Sequence, residues 1–210
     1  MHALLQSVHD EVIGGNRSAV EGGVRAAIEA GLPVMSILNE GLIAAMKEVG
    51  IRFERQEFYV PEMLVAARAM RAGLTVLKPR LVQAGVPATG KVVLGTVKGD
   101  LHDIGKSLVG MMLEGAGFEV IDLGTDVSPD KFGDAVRAHK PQLVGLSALL
   151  TTTMQNMEST LEALEDLGVR SHVKVMVGGA AVTDAFAKEI GADGYAPDAS
   201  RAVTLAKALL

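Results

Sequence analysis

Cysteine is absent from the 210 residues. That one absence removes disulfides, thiolate nucleophiles and zinc–thiolate sites together, and it fits a reducing cytoplasm. Basic runs are missing as well. Twenty Lys and Arg stand against 25 Asp and Glu, a formal net charge of −5, so a nucleic-acid partner is not expected. No apolar run approaches the roughly 20 residues that span a bilayer, so no membrane is expected either. The first residues, MHALLQSVHDE, lack the basic start and long apolar middle of a signal peptide. The expectation is a soluble cytoplasmic protein. Apolar residues are plentiful at 49%, against 21% charged, which is enough to bury a core and too apolar for disorder. The length allows one large domain or two small ones.

The hydrophobic period changes along the chain. Met63, Ala67, Met70, Leu74, Leu77 and Leu81 alternate steps of four and three, so they share one helix face. Met35, Leu38, Leu42, Met46, Val49 and Phe53 do the same on the preceding segment. Gly14-Gly15 and Gly31-Leu32-Pro33 punctuate this half, which reads as a four-helix bundle over residues 1–88. Its methionines read as core filler. Pro79 is expected to kink the last helix or end it early. The linker Gln83 to Gly90 follows, where Gly85 suits a helix stop and Pro87 discourages continuation.

From residue 89 to 210, β-branched runs alternate with helical stretches: KVVLGTV, FEVIDL, LVGLS, VKVMVGG and a weaker ADGYA. Pro129 suits the first turn of one of the helices. Such alternation predicts an α/β domain with a five-stranded, parallel, doubly wound sheet of the flavodoxin or Rossmann kind. In the order 2-1-3-4-5 its ligand crevice opens at the carboxyl ends of strands 1 and 3.

At the end of the first strand stands Gly99-Asp100-Leu101-His102-Asp103-Ile104-Gly105, a lone imidazole between two aspartates. A phosphate loop is one reading. It fails because five residues separate Gly99 from Gly105-Lys106-Ser107 where the P-loop needs four, and two of them are aspartates that would repel the anion. The metal-binding His-Asp step of the HD-domain phosphohydrolases is another. That family needs an all-helical domain and a further upstream His, and no histidine lies between Asp10 and Leu101. The third reading is a ligand to a metal whose other ligands come from a cofactor. Cobalamin is such a cofactor, and Asp100 stands where it can accept the second ring N–H.

Asp100-x-His102-x-x-Gly105 resembles the Asp-x-His-x-x-Gly motif of the cobalamin-binding domains of methionine synthase and methyltransferase corrinoid proteins. GLSALLTTTM is similar to that family's Ser-x-Leu segment, VGGAAVT to its Gly-Gly step, and EVGIRFERQEFYVPEML to its helical cap. The likeness covers essentially the whole chain in the right order.

The resemblance implies that Gly99 to Gly105 border the corrinoid and that His102 ligates cobalt from below. It implies that Asp100 hydrogen-bonds His102 and that Thr153 completes a proton relay, a place where the family often has Ser. Ser147, Leu149 and Thr151 line the slot for the displaced nucleotide tail. Gly178 and Gly179 let the tail approach, or simply make a strand-end turn. Ala199 touches the corrin. Phe53 and Val60 cover its reactive face or serve the bundle core, and Val60 departs from the family's leucine. The other histidines (His2, His9, His139 and His172) are expected to be solvated.

The function implied is that of a corrinoid methyl carrier, its cobalt cycling between Co(I) and methyl-Co(III). Its partners are then a substrate-specific methyltransferase, an acceptor methyltransferase serving tetrahydrofolate or a thiol coenzyme, and a reductive activating protein. The chain has no room for substrate or folate domains, so it is expected to be a subunit of a demethylase system and not a complete catalyst. A cobalamin-dependent sensor or a corrinoid storage protein is the alternative.

Overall fold

The computed structural model describes residues 2–85 and 88–210, so the expectation at Pro87 lies outside the described residues. The backbone divides into two compact units. One is Met1–Ala88 with Glu114–Gly117, and the other is Thr89–Leu113 with Phe118–Leu210.

The first unit is helical. It contains α1 (Ala3–Ile13) and α2 (Arg17–Glu29), then a continuous rod, then α5 (Val60–Gln83). The rod starts as α3 (Val34–Ser36), widens into a π-helical segment (Ile37–Ile43) and resumes as α4 (Ala44–Glu54). Val8, Val20, Val24, Ile37, Leu42, Val49, Met63, Met70 and Leu77 are its buried centre, and the methionines among them fill core space as expected.

The π segment accounts for one misplaced residue. Its wider turns break the four-and-three spacing, so Met35 faces outward at 44% exposure while Ile37 is fully buried. The sequence stripe from Met35 assumed an unbroken α period. Pro79 does not end α5 either. The helix runs on to Gln83 and stops at Gly85, whose φ is +65°.

The second unit alternates β1 (Lys91–Thr96), α6 (Ile104–Gly115), β2 (Glu119–Asp122), α7 (Pro129–His139), β3 (Leu143–Ser147), α8 (Thr151–Asp166), β4 (Lys174–Gly178), α9 (Asp184–Glu189), β5 (Gly194–Tyr195) and α10 (Ala199–Leu209). The strands are all parallel in the order β2-β1-β3-β4-β5. β1 and β3 are buried on both faces, which is why they read as unbroken Val and Leu runs. β2 lies at the edge, and its charged ends Glu119 and Asp122 face solvent.

On one face Val93, Val144 and Val175 pack against Phe132 of α7, Met157 and Leu164 of α8, and Ala187 of α9. On the other, Leu94 packs against Gly110 of α6, and Leu205 of α10 against Gly194. Ser128, Thr183 and Asp198 cap α7, α9 and α10 with their side chains, so these helices begin where the loops leave the sheet.

Thr96 of β1 pairs with Ser147 of β3 at the carboxyl ends of the two central strands. From there α6 leads towards β2 while α8 leads towards β4. The loops after β1 and β3 therefore part at this point and leave a crevice.

Phe132 is fully buried, its ring filling the space that Gly95 leaves open on β1. Phe132→Ala should lower the unfolding free energy of this unit by about 3–5 kcal/mol. Urea titration followed by circular dichroism measures the loss. An unchanged midpoint would contradict this account of the core.

Candidate cofactor site at the switch point

The chain leaves β1 through a tight turn from Val97 to Asp100, passes His102 and enters α6 at Ile104. Thr96, fully buried at the end of β1, reaches forward so that its hydroxyl donates to the His102 carbonyl at 3.0 Å. The Asp103 carbonyl accepts the Ser107 N–H at 2.7 Å and starts the helix. His102 is thus held at both ends of its peptide neighbourhood, while half of its side chain, 51%, stays open to solvent.

Asp100 has the opposite setting, with no exposure at all. Its Oδ1 accepts the His102 N–H at 3.0 Å and faces His102 Nδ1 at 2.7 Å. Its Oδ2 accepts the Leu149 N–H at 2.8 Å and the Thr153 hydroxyl at 2.7 Å, with the Leu150 N–H further off at 3.4 Å. Leu149 and Leu150 lead directly into α8, so the carboxylate also sits against the positive end of that helix. Burial pushes its pKa up, but the Thr153 hydroxyl, the His102 and Leu149 N–H groups and the His102 ring outweigh it. The carboxyl is held well below the usual carboxylate range.

One consequence fixes the tautomer of His102. An ionised carboxylate has no proton to give, so the 2.7 Å contact requires the proton to be on Nδ1. Nε2 is then the ring nitrogen that Asp100 does not engage. Among the described residues no group of three or more His, Asp or Glu is placed to hold a metal ion. A metal here would need its remaining ligands from elsewhere.

The surroundings of the imidazole are apolar and open. Leu101 and Ile104 are 73% and 72% exposed, and Leu149 and Leu150 are also exposed. A cluster of large aliphatic side chains left in water around one histidine marks a ligand surface. A Cβ placed on Gly105 would meet nothing within 4 Å. Ser147 ends β3, and Thr151, exposed, opens α8.

Gly178 and Gly179 end β4, where their own neighbours already demand glycine. A Cβ on Gly179, at φ +132°, would lie 1.9 Å from the Ala148 carbonyl oxygen, and one on Gly178 would lie 2.8 Å from that of Ala196. Ala199 is buried as the first residue of α10, in the loop edge that follows β5. Thr153, 53 residues from Asp100 in the chain, is thus brought to the carboxylate that holds His102. Phe53, in the last turn of α4, and Val60, the first residue of α5, are half-buried members of the helical unit.

Two further groups support the site and escaped the sequence reading. Thr96 looked like any strand residue, and only its burial and reach identify it. Lys106 is almost fully buried, with its ammonium against both carboxylate oxygens of Asp122 at the end of β2. The pair ties the first turn of α6 to the sheet. It also turns the one lysine of the Gly-Lys-Ser step away from any phosphate role. Of the other histidines, His2, His139 and His172 are exposed, and His9 is half-buried beside Asp10.

Sequence profiles described as a B12 binding domain match residues 90–204 and, separately, residues 4–78. The chain is 45% identical over 208 residues to dimethylamine corrinoid protein 2 of Methanosarcina mazei, covering 99% of this chain and 97% of that one. Among solved structures it is similar to the methanol:cobalamin methyltransferase complex MtaBC of Methanosarcina barkeri. There the TM-score is 0.86 at 30% identity, over 98% of this chain and 79% of that one. A cobalamin-binding protein of Desulfitobacterium hafniense DCB-2 gives a TM-score of 0.81 at 30% identity, over 98% of both chains.

The Asp100 network has a testable acid signature. Its folded pKa is depressed from the ordinary 3.8, so its stabilisation is complete above that value and is lost as pH falls through the lower folded one. In urea titrations below about pH 4, wild type should lose stability more steeply than Asp100→Asn. Near neutrality the variant should be weaker by about 1–3 kcal/mol, because buried donors lose their acceptor. Parallel curves for the two proteins across that range would contradict the assigned ionisation.

Proposed function

The chain belongs to the B12 binding domain family, and from that membership we propose that it is the corrinoid methyl carrier of a methylamine methyltransferase system. It binds cobalamin. The observation that carries the reading is the half-exposed His102 ring, with Nδ1 held 2.7 Å from the buried Asp100 carboxylate and Nε2 not engaged by it. The residues fit the group. One imidazole suffices where a corrin fills the metal's equatorial positions, and exposed Leu101, Ile104, Leu149 and Leu150 suit the apolar face of a macrocycle.

When bound, the cofactor supplies a cobalt that accepts a methyl group from one molecule and gives it to another. The protein's part is ligation and proton control. His102 would hold the cobalt through Nε2, with Asp100 Oδ1 fixing the orientation of the ring through Nδ1. Were Nε2 to take up a proton, the ionised Asp100 would stabilise the imidazolium. Thr153 donates its hydroxyl to Asp100 Oδ2 and keeps that carboxylate ionised and fixed. Its methyl group is the extra feature relative to serine. Gly99 to Gly105 would border the ring, Ser147, Leu149 and Thr151 would line the tail slot beside Gly178 and Gly179, and Ala199 would touch the corrin.

A methyltransferase partner follows from the solved complex that the chain resembles, and the relative's name makes dimethylamine the first donor to test. A second methyltransferase, serving tetrahydrofolate or a thiol coenzyme, takes the methyl group on. A reductive activating protein restores cofactor that has become oxidised. No helix among the described residues is long and apolar enough to cross a membrane.

The test starts with protein loaded with cobalamin and labelled with ¹⁵N-histidine. Electron paramagnetic resonance of the Co(II) form should show histidine nitrogen coupling that disappears in His102→Ala. With a dimethylamine methyltransferase added, the cofactor's absorbance should alternate between its reduced and methylated forms as amine and acceptor are supplied. Coupling that persists in His102→Ala removes the ligand assignment. A cofactor that binds but never changes methylation state with any methylamine points to a sensor or a store instead.

A further inference from the structure

The turn that carries Asp100 has a weak point. Its own hydrogen bond joins the Asp100 N–H to the Val97 carbonyl at 3.1 Å. Gly99 is at φ +79° while Lys98 keeps a negative φ, the combination of a type II turn. A turn of this kind leaves its central peptide, here Lys98–Gly99, with a carbonyl and an N–H that it cannot bond itself. Rotation of that one peptide plane turns type II into type I, and glycine at the third position permits both. The carboxylate that orients His102 is attached to the very next residue.

Both loose groups are taken by side chains from distant segments. Asn156, in the second turn of α8, donates its Nδ2 to the Lys98 carbonyl at 2.9 Å. Asp126, in the loop between β2 and α7, accepts the Gly99 N–H on Oδ1 at 2.7 Å. The Asp126 N–H also donates to the Asp100 carbonyl at 3.0 Å. Asp126 therefore grips the peptides on both sides of the Gly99–Asp100 pair.

The backbone of Asp126 is itself unusual, at φ +52°. Glycine would adopt that conformation with less strain, and aspartate is among the few other residues that tolerate it. Glycine would supply no acceptor. The residue present combines the conformation with a charged acceptor for a backbone N–H, a stronger bond than a neutral one.

We infer that Asp126 and Asn156 are positioning residues that lock the Lys98–Gly99 peptide and thereby hold Asp100 against His102 Nδ1, Leu149 and Thr153. The inference rests on the reading of His102 as the cobalt ligand. Neither residue touches His102, so each acts through the turn. Losing either clamp frees the peptide to rotate, and the Asp100 carboxylate then spends part of its time out of register with its donors.

Three variants separate this role from general damage. Asp126→Gly keeps the positive φ and removes the acceptor. Asp126→Asn keeps an oxygen acceptor and the tolerance for that φ. Asn156→Ala removes the other clamp. Without cofactor, hydrogen exchange should be faster at the Gly99 amide in Asp126→Gly. It should be faster by roughly tenfold at the Leu149 amide in both Asp126→Gly and Asn156→Ala, a typical cost of one hydrogen bond to a charged group. In the cobalamin-loaded Co(II) protein, both variants should show a reduced fraction of histidine-coupled signal and a shifted Co(II)/Co(I) midpoint potential. Asp126→Asn should restore all four readouts.

Unchanged Leu149 exchange and unchanged coupling in Asp126→Gly and Asn156→Ala would overturn the inference while leaving His102 as ligand. Failure of Asp126→Asn to restore them would overturn it too, since the bond would not be the cause. Wild-type protein that binds cobalamin with no histidine coupling would remove the ligand reading, and the inference with it.

Discussion

Everything in the crevice depends on one buried anion. Asp100 is withdrawn from water, and an unpaired carboxylate there would be strongly destabilising. Its setting works because donors converge on it from two parts of the chain: His102 on its own loop, and Leu149 with Thr153 at the start of α8. The same bonds that keep the carboxylate ionised decide which nitrogen of His102 carries the proton. Charge placement on Asp100 and proton placement on His102 are one arrangement.

The sheet makes that convergence possible. β1 and β3 are neighbours in space although their paired residues Thr96 and Ser147 lie 51 positions apart in the chain. The loop after β1 and the start of α8 therefore meet at one edge, and a residue of the first can cap the second. Helix α8 has no side-chain cap of its own on Leu150. Asp100 instead holds the N–H groups of Leu149 and Leu150 that lead into it and the Thr153 hydroxyl in its first turn, so loop geometry and helix geometry stabilise each other. The Lys106–Asp122 pair ties the other side of the loop to β2 in a similar way.

The fold was legible because its signals are local. Unbroken Val and Leu runs such as Leu94 and Leu143 to Leu146 can only be strands buried on both faces, and the alternating helices then dictate a parallel sheet. The spacing of Asp100 and His102 was equally local, and Thr153 could be named only through a family likeness. Met35 went astray because a π segment leaves no trace in an α-period count. Thr96, Lys106, Asp126 and Asn156 were invisible for another reason. Each acts on a partner set by the folded topology, up to 58 residues away for Asn156. Gly178 and Gly179 fit the strand-end turn the sequence allowed, since the backbone of Ala148 and Ala196 demands glycine there whatever else approaches.

The central claim concerns a single proton, and it can be read without cofactor or partner. Long-range ¹H–¹⁵N correlation spectra of ¹⁵N-histidine-labelled, cofactor-free protein near neutral pH resolve the tautomer of each neutral ring. The account predicts that His102 carries its proton on Nδ1, with Nε2 unprotonated, and that Asp100→Asn disturbs this preference. A His102 ring protonated on Nε2, or one exchanging freely between both tautomers in wild-type protein, would contradict it.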